Sequence, residues 1–366
     1  MVVYIVLILL TTYFMLVVEK TYAQRSTSFV RIGLNEYALN MRRLFYLAAF
    51  LIMVLVAASR TVGIDLYVYK GIYGNWTTKQ NASSSYMEPL FAYAGYLFNA
   101  MRLNADWYIA FCSAITTLFM IWGISKYSQN KAMAMYIFMC LSCYFAAFNL
   151  VRQMLASSIT FIGYKFLRDR QFFHYAVIVL IAFLFHRPAI IMLPIYFMCT
   201  WDWKHINLIM LCIAGIAFLL YSEPIFEFIA EKVPVYKDYL NTRYTVEGTE
   251  SYKQAIISVV LFILPFIFRK SLISLDRSNS ILLFLAFISV IISLIGYQIR
   301  IVERFRYYTD VYYILLLPEI TNAVKKQKEK SFIVVVLFIL GCVYFGVSIA
   351  RDIHGVFPYQ SLLLKS

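Results

Sequence analysis

The chain has 366 residues, of which 62% are hydrophobic and only 14% charged, and it carries a formal net charge of +14. A water-soluble domain of this length needs far more polar surface to cover itself, so the soluble classes are excluded. The positive balance could suit nucleic acid. In a chain built of apolar runs it reads first as membrane orientation and contact with anionic headgroups, and no nucleic-acid partner is expected.

The apolar residues come in continuous runs long enough to cross about 30 Å of hydrocarbon as helices. Ser331 to Ala350, SFIVVVLFILGCVYFGVSIA, is one of them. A β-barrel would instead show segments of about ten residues alternating apolar and polar. An all-α polytopic membrane protein is therefore expected. Met1 to Val18 lacks a basic leader and a small-residue cleavage pattern, and is read as a retained first span. Further spans are expected at 44–59, 106–124, 132–150, 152–167, 171–186, 188–201, 205–221, 253–269, 281–298, 305–322 and 331–350. That makes about twelve, within a range of about ten to thirteen. The runs at 152–167 and 188–201 are short enough to be tilted, broken or re-entrant. Pro89 to Met101 is too short to cross and is expected at the outer interface, leading through Asn104 and Asp106 into the next span. One membrane domain over 1–366 is expected, with long outer loops at 60–105 and 222–252. Cys140 and Cys143 lie three apart in an apolar run and read as small buried hydrophobes rather than a redox pair. The four histidines are scattered, and no acidic or cysteine cluster suits a metal.

Orientation follows from the basic residues of the connections. Lys20, Arg25, Arg31, Arg42 and Arg43 fall on one side with Lys126, Lys131, Lys165, Arg168, Arg170, Lys204, Arg269, Lys270, Arg277 and the run Lys325 to Lys330. That side carries most of the positive excess and is read as cytoplasmic, with both termini outside.

The outward helix ends carry the residues that suit chemistry. The first outer loop opens on Arg60 and Asp65, and Glu88 closes its polar part. Asn149, Arg152 and Gln153 lie where two spans meet, and His186 and Arg187 end another. Arg300, Glu303, Arg304, Arg306 and Tyr307 begin a later span. Lysine would snorkel to headgroups equally well, but arginine's planar fork grips phosphate in two places. A helix-end salt bridge explains Glu303 as well as a site does, and Arg60 with Asp65 could pair in the same bland way. A neutral imidazole at His186 or a carboxylate at Asp65 could take a proton from a hydroxyl. Tyr67, Tyr69, Tyr73, Trp76, Tyr86, Tyr93 and Tyr96 crowd the first outer loop. They suit an aromatic belt, and a sugar-binding surface would look the same. Asn75-Trp-Thr and Asn81-Ala-Ser could accept glycans only in a host that glycosylates there. In the second long loop Glu223, Glu227 and Glu231 repeat at i,i+4 spacing, as in a short helix with one acidic face, and the segment is read as a solvated outer loop, with a lid over the substrate cavity as the alternative. The pattern as a whole suits a lipid-linked anionic substrate whose diphosphate is held by arginines, with no cofactor or metal.

These motifs, in this order, resemble the EpsG family of Wzy-like polysaccharide polymerases. The elements are RTVGIDLYVY at 60–69, MEPL at 87–90, NLVRQMLASSI at 149–159, AFLFHRPAII at 182–191 and ERFRYY at 303–308. By position, Arg60, Asp65, Arg152, His186 and Arg304 match the family's polar motif positions, whereas Arg187 stands where a smaller residue is commoner. The resemblance implies a GT-C-like multi-span glycosyltransferase in the bacterial cytoplasmic membrane, active face outward. Its donor and acceptor would be undecaprenyl-diphosphate-linked oligosaccharides, its surroundings membrane lipid, and a chain-length regulator a further partner. A flippase for the same lipid-linked sugars is the alternative from another class, but it calls for charge deep within the spans, where this sequence has almost none. A ligase or acyltransferase using the same donor differs in acceptor, on which the sequence is silent. An assembly role without chemistry is the remaining alternative.

Overall fold

The computed structural model describes residues 1–27, 32–199, 251–352 and 354–362, together with isolated positions between 210 and 228. Among these the chain is helical, and extended backbone pairs only in an isolated antiparallel bridge between Arg60 and Ser361. The chain divides into two compact units, one of residues 1–193, 317–319 and 332–366, the other of 194–316 and 320–331.

Unit 1 is a bundle with a helical cap. Its long helices are α1 (Val2–Thr27), α2 (Ile32–Ser59) and α6 (Ala105–Tyr127), and the cap between them consists of α3 (Leu66–Tyr73), α4 (Lys79–Ser83) and α5 (Pro89–Ala100). Then follow α7 (Lys131–Cys140), α8 (Cys143–Asn149), α9 (Val151–Ile162), α10 (Tyr164–Arg168), α11 (Phe172–Phe185) and a 3-10 turn at Arg187–Ile191, while α12 (Met192–Met198) passes into unit 2 at Pro194. α6 and α9 form the centre, flanked by α2 and α11, and α1 packs on α2 and α7. α9 approaches its neighbours closely through Ala156, Ser157, Ser158 and Thr160, all fully buried, as small residues permit between membrane helices. α2 shows the periodicity of a lipid-facing helix. Ala49, Met53 and Ala57 are buried on one side, while Leu44, Leu47, Leu51 and Leu55 are each more than half exposed on the other.

Unit 2 contains α13 (Ser251–Ile267), α14 (Arg269–Leu275), α15 (Asn279–Gln298), α16 (Arg300–Glu303), a 3-10 turn at Arg304–Arg306 and α17 (Tyr307–Asp310). α13 packs along α15, and a hydrogen bond of 2.8 Å joins Ser258 to Ser293 across that seam. α18 (Tyr313–Ala323) and α19 (Gln327–Arg351) follow, with residues 317–319 of α18 and 332–351 of α19 counted in unit 1.

Among the described residues, five helices are long and apolar enough to cross a membrane, or up to seven if each bent pair is one span. The described part is thus all-helical, as in a membrane protein, and it accounts for five to seven of the about twelve expected spans. The expected spans at 1–18, 44–59, 106–124, 281–298 and 331–350 are continuous helices. The others differ for local reasons. The run 132–150 bends by 42° between α7 and α8, where Ser142 takes the left-handed conformation at φ 60°. The run 152–167 breaks at Gly163, 253–269 continues through a 59° bend into α14, and 188–201 is a 3-10 turn followed by seven helical residues. The run 305–322 is divided into a 3-10 turn, α17 and α18. Phe172–Phe185 is apolar but short. Most of the run 205–221, and Glu223, Glu227 and Glu231 of the loop after it, lie outside the described residues. Cys140 and Cys143 are buried and neither forms a disulfide, as their apolar setting implied.

Candidate functional site

The motifs that are scattered through the first half of the sequence meet at one end of unit 1. Arg60 follows the last residue of α2 and turns inward, with 2% of its surface exposed. Its guanidinium donates to the Ala57 carbonyl, to the Phe148 carbonyl at 3.2 Å and to Ser113 Oγ at 3.1 Å. It therefore joins the ends of α2 and α8 to α6, and its cation lies 4.8 Å from the centre of the Phe148 ring. Burial pushes its pKa down to about 10, which leaves it charged at neutral pH. The bland expectation of an Arg60–Asp65 salt bridge is not met, because Arg60 turns inward and directs Nε and one terminal nitrogen to carbonyls and a hydroxyl.

Between the two residues Gly63 adopts φ 126°, and a Cβ there would come within 2.8 Å of the Phe148 carbonyl oxygen. Glycine thus lets the loop lie flat against the end of α8. Asp65 is the N-cap residue of α3 but makes no capping bond. Its backbone N–H donates to Asn149 Oδ1 at 2.6 Å. Its half-buried carboxylate has no hydrogen-bond or ion-pair partner among the described residues.

Glu88 precedes Pro89 and enters the bundle, only 5% exposed. One carboxylate oxygen pairs with the Arg152 guanidinium, and the other accepts from the backbone N–H of Arg187 at 3.2 Å. Three chain segments, the starts of α5 and α9 and the turn after α11, are thereby tied at one carboxylate. Arg152 also lies 5.8 Å from the Tyr69 ring centre and 5.9 Å from that of Phe91. Gln153 beside it is buried, and His186, the C-cap of α11, is half-buried. The Arg187 side chain is exposed and has no ion-pair partner among the described residues.

The later motif forms its own cluster within unit 2. Arg306 is buried, pairs with Asp310, and has Glu303 Oε1 3.9 Å from its Nε. It lies 4.5 Å from the Tyr307 ring centre and donates to the Tyr307 hydroxyl at 3.1 Å. Asp310 also accepts from Ser289 of α15. Arg304 is exposed, and the α-helix that begins at Arg300 ends at Glu303, so a 3-10 turn separates Arg304 from the helix of Arg300. The Arg300 side chain lies outside the described ones.

Three kinds of contributor escaped the sequence reading: a buried acidic partner, two serines and the tail. Asp310 had a signal, since an ionisable residue four positions from an arginine inside an apolar run calls for a partner. Ser113 and Ser289 had none. The third is the C-terminal tail, whose Gln360 and His354 carbonyls accept from the N–H groups of Thr61 and Ile64 at 2.9 and 3.1 Å, while Leu362 N–H donates to the Ser59 carbonyl at 2.8 Å. Tyr4 adds a bond of 2.7 Å to the Val356 carbonyl. The start of α1, the tail and the Arg60 loop thus share one end of unit 1. At the other end Glu19 accepts from Ala132 N–H at 3.1 Å, and Tyr127 donates to the Ile162 carbonyl at 2.6 Å. Among the described residues no group of three or more histidine, cysteine or acidic side chains could hold a metal ion.

These features define a polytopic membrane protein with arginines and carboxylates gathered where its helices end. The chain belongs to the EpsG family, whose model matches residues 43–361, and this is a family of Wzy-like polysaccharide polymerases. The match includes every motif of both clusters and most of the tail. No curated protein and no solved structure matches the chain.

Proposed function

We propose that this chain is a glycosyltransferase of the polymerase type. It transfers a growing glycan from undecaprenyl diphosphate to a hydroxyl of the next lipid-linked repeat unit, at the outer face of the bacterial cytoplasmic membrane. Family membership supports the reaction class. The single observation that carries the assignment of the site is the meeting of Asp65, Asn149, Glu88, Arg152 and Arg187 at one end of unit 1.

In this reading the exposed Arg187 receives the diphosphate, and Arg152 exchanges Glu88 for phosphate as substrate enters. Fixed guanidinium charge then stabilises the diphosphate as it leaves, which is worth about 3 kcal/mol per well-placed donor. The acceptor oxygen bonds to the anomeric carbon while the bond from that carbon to the diphosphate oxygen breaks. The hydroxyl proton passes to a carboxylate or imidazole. Asp65 is favoured because its carboxylate has no competing partner and its backbone is fixed by Asn149, and His186 is the second candidate. Arg60 acts from behind as a positioning residue. Arg300, Arg304 and Arg306, with Glu303 and Tyr307, supply a second set of charge for the lipid-linked substrates. The catalysis so described draws on arginine charge and needs no metal. The basic connections near Lys126, Lys131, Lys165 and Arg168 belong to the opposite, inward end.

The test is deletion of the gene and display of the surface polysaccharide on a gel. The reading expects long chains to vanish while single repeat units still reach the surface. Loss of all export would mean a flippase, and full-length polymer left unattached would mean a ligase.

A further inference from the structure

Between the end of α3 and the start of α5 the cap contains an open cleft of about 520 Å³, within the range of roughly 300–1,000 Å³ common for ligand sites. Its walls include Asn75, Thr77, Asn81, Ser85 and Tyr86, with Trp76 as the floor, and no lining residue is charged. The floor is rigid. Trp76 is buried, with its ring centre 5.9 Å from that of Phe91 and 6.2 Å from that of Tyr108. A Cβ on Gly95 would come within 2.3 Å of the indole, so only glycine lets the ring seat there. The rim is the opposite. Tyr86 is 71% exposed, and among the described residues neither its hydroxyl nor the Asn75 amide has a hydrogen-bond partner. The Asn81 amide reaches only Thr77 Oγ1, at 3.5 Å.

This chemistry selects its ligand. A phosphate, nucleotide or acidic peptide needs cations, which the walls lack. An acyl chain needs walls that are apolar throughout, and here Ile72 and Trp76 are outnumbered by residues with amides and hydroxyls. Unengaged amide and hydroxyl groups beside an accessible aromatic ring match a neutral sugar, which offers hydroxyls at its edge and C–H groups on its face. The position also fits. Phe91, which supports Trp76, has its ring centre 5.9 Å from the Arg152 guanidinium, and Tyr86 is two residues from Glu88. The geometry points to a glycan subsite in the 72–86 cleft, which holds sugars of the lipid-linked substrate beyond the residue that reacts. This rests on the polymerase reading and assigns part of its substrate to a second, uncharged surface.

The test is a titration of the full-length purified chain in nanodiscs with lipid-free oligosaccharide, released by mild acid from the surface polysaccharide of the producing cell. Binding is read by saturation-transfer NMR, and maltohexaose serves as the non-cognate control. Binding by the unaltered chain that weakens about tenfold or more in Tyr86→Ala and in Asn75→Ala/Asn81→Ala, with unfolding temperature unchanged, is the expected result. These side chains are exposed, so the variants should fold. No binding by the unaltered chain, or equal binding by both variants, overturns the subsite. The two readings fail separately. If the variants bind normally and polymer still disappears on gene deletion, the subsite falls and the polymerase stands. If the variants lose binding but gene deletion leaves polymer length unchanged, the subsite stands and the polymerase falls.

Discussion

The Glu88–Arg152 pair offers the sharpest separation of structure from chemistry. The Glu88 side chain is 7% exposed and that of Arg152 22%. Arg152→Ala therefore leaves a buried carboxylate with only the Arg187 N–H as donor, which should cost about 3–5 kcal/mol of stability. Glu88→Ala strands a guanidinium that water partly reaches, and the Arg187 N–H loses its acceptor, so a cost of about 2–4 kcal/mol is expected. Removing both charges leaves neither stranded, and the double variant should be about 3 kcal/mol less destabilised than the two singles sum to. Unfolding of the purified protein in detergent gives the three stabilities. Chain growth should behave differently. Arg152→Ala should lower transfer by about 10²–10³-fold, the loss typical of a charge-stabilising donor. The double variant should be just as inactive despite its recovered stability. Glu88→Gln should keep measurable transfer, because Glu88 holds Arg152 only while the site is empty. Polymer made at the normal rate by the double variant would refute the role of Arg152 in holding diphosphate, and additive stabilities would refute the ion-pair argument.

Other consequences can be measured separately. Asp65→Asn should abolish the acid limb of the rate–pH profile, because a base must be unprotonated to act and its loss removes the need for deprotonation. If the limb persists there and vanishes in His186→Ala, the imidazole is the base. Asp310→Ala should cost about 3–5 kcal/mol by stranding the buried Arg306 cation, whereas Ser289→Ala, which leaves the pair intact, should cost about 1 kcal/mol. Equal losses in unfolding measurements would contradict this ranking. Ser85→Cys should react with a membrane-impermeant maleimide in intact cells stripped of outer layers, since the 60–105 loop is read as outward. Labelling only after the membrane is opened would reverse the orientation.

The sequence made the membrane class plain, because runs such as Ser331 to Ala350 leave no soluble alternative. The long continuous spans were legible for the same reason. The breaks were not, because hydropathy averages over them. Ser142 sits in an apolar run, and only the left-handed backbone at that residue bends the helix. The run 305–322 looked like one span because its tyrosines and leucines mask the division after Arg306. The polar motifs were found individually, but their pairings were not. Glu88 and Arg152 are 64 residues apart, and no local pattern links them. Arg60 illustrates the opposite error. An arginine at an outward helix end looked available for phosphate, yet the fold turns it inward to three acceptors. The tail was missed because its contribution is backbone hydrogen bonding, for which side-chain chemistry gives no sign.

The central claim is that this chain itself extends a lipid-linked glycan. Purified protein in vesicles, supplied with undecaprenyl-diphosphate-linked repeat units on its outward side, tests that claim directly. The account predicts a ladder of lengthened glycans with one undecaprenyl diphosphate released for each bond formed, and no ladder from Arg152→Ala. Repeat units that cross the bilayer without lengthening, or no release of undecaprenyl diphosphate, would contradict it.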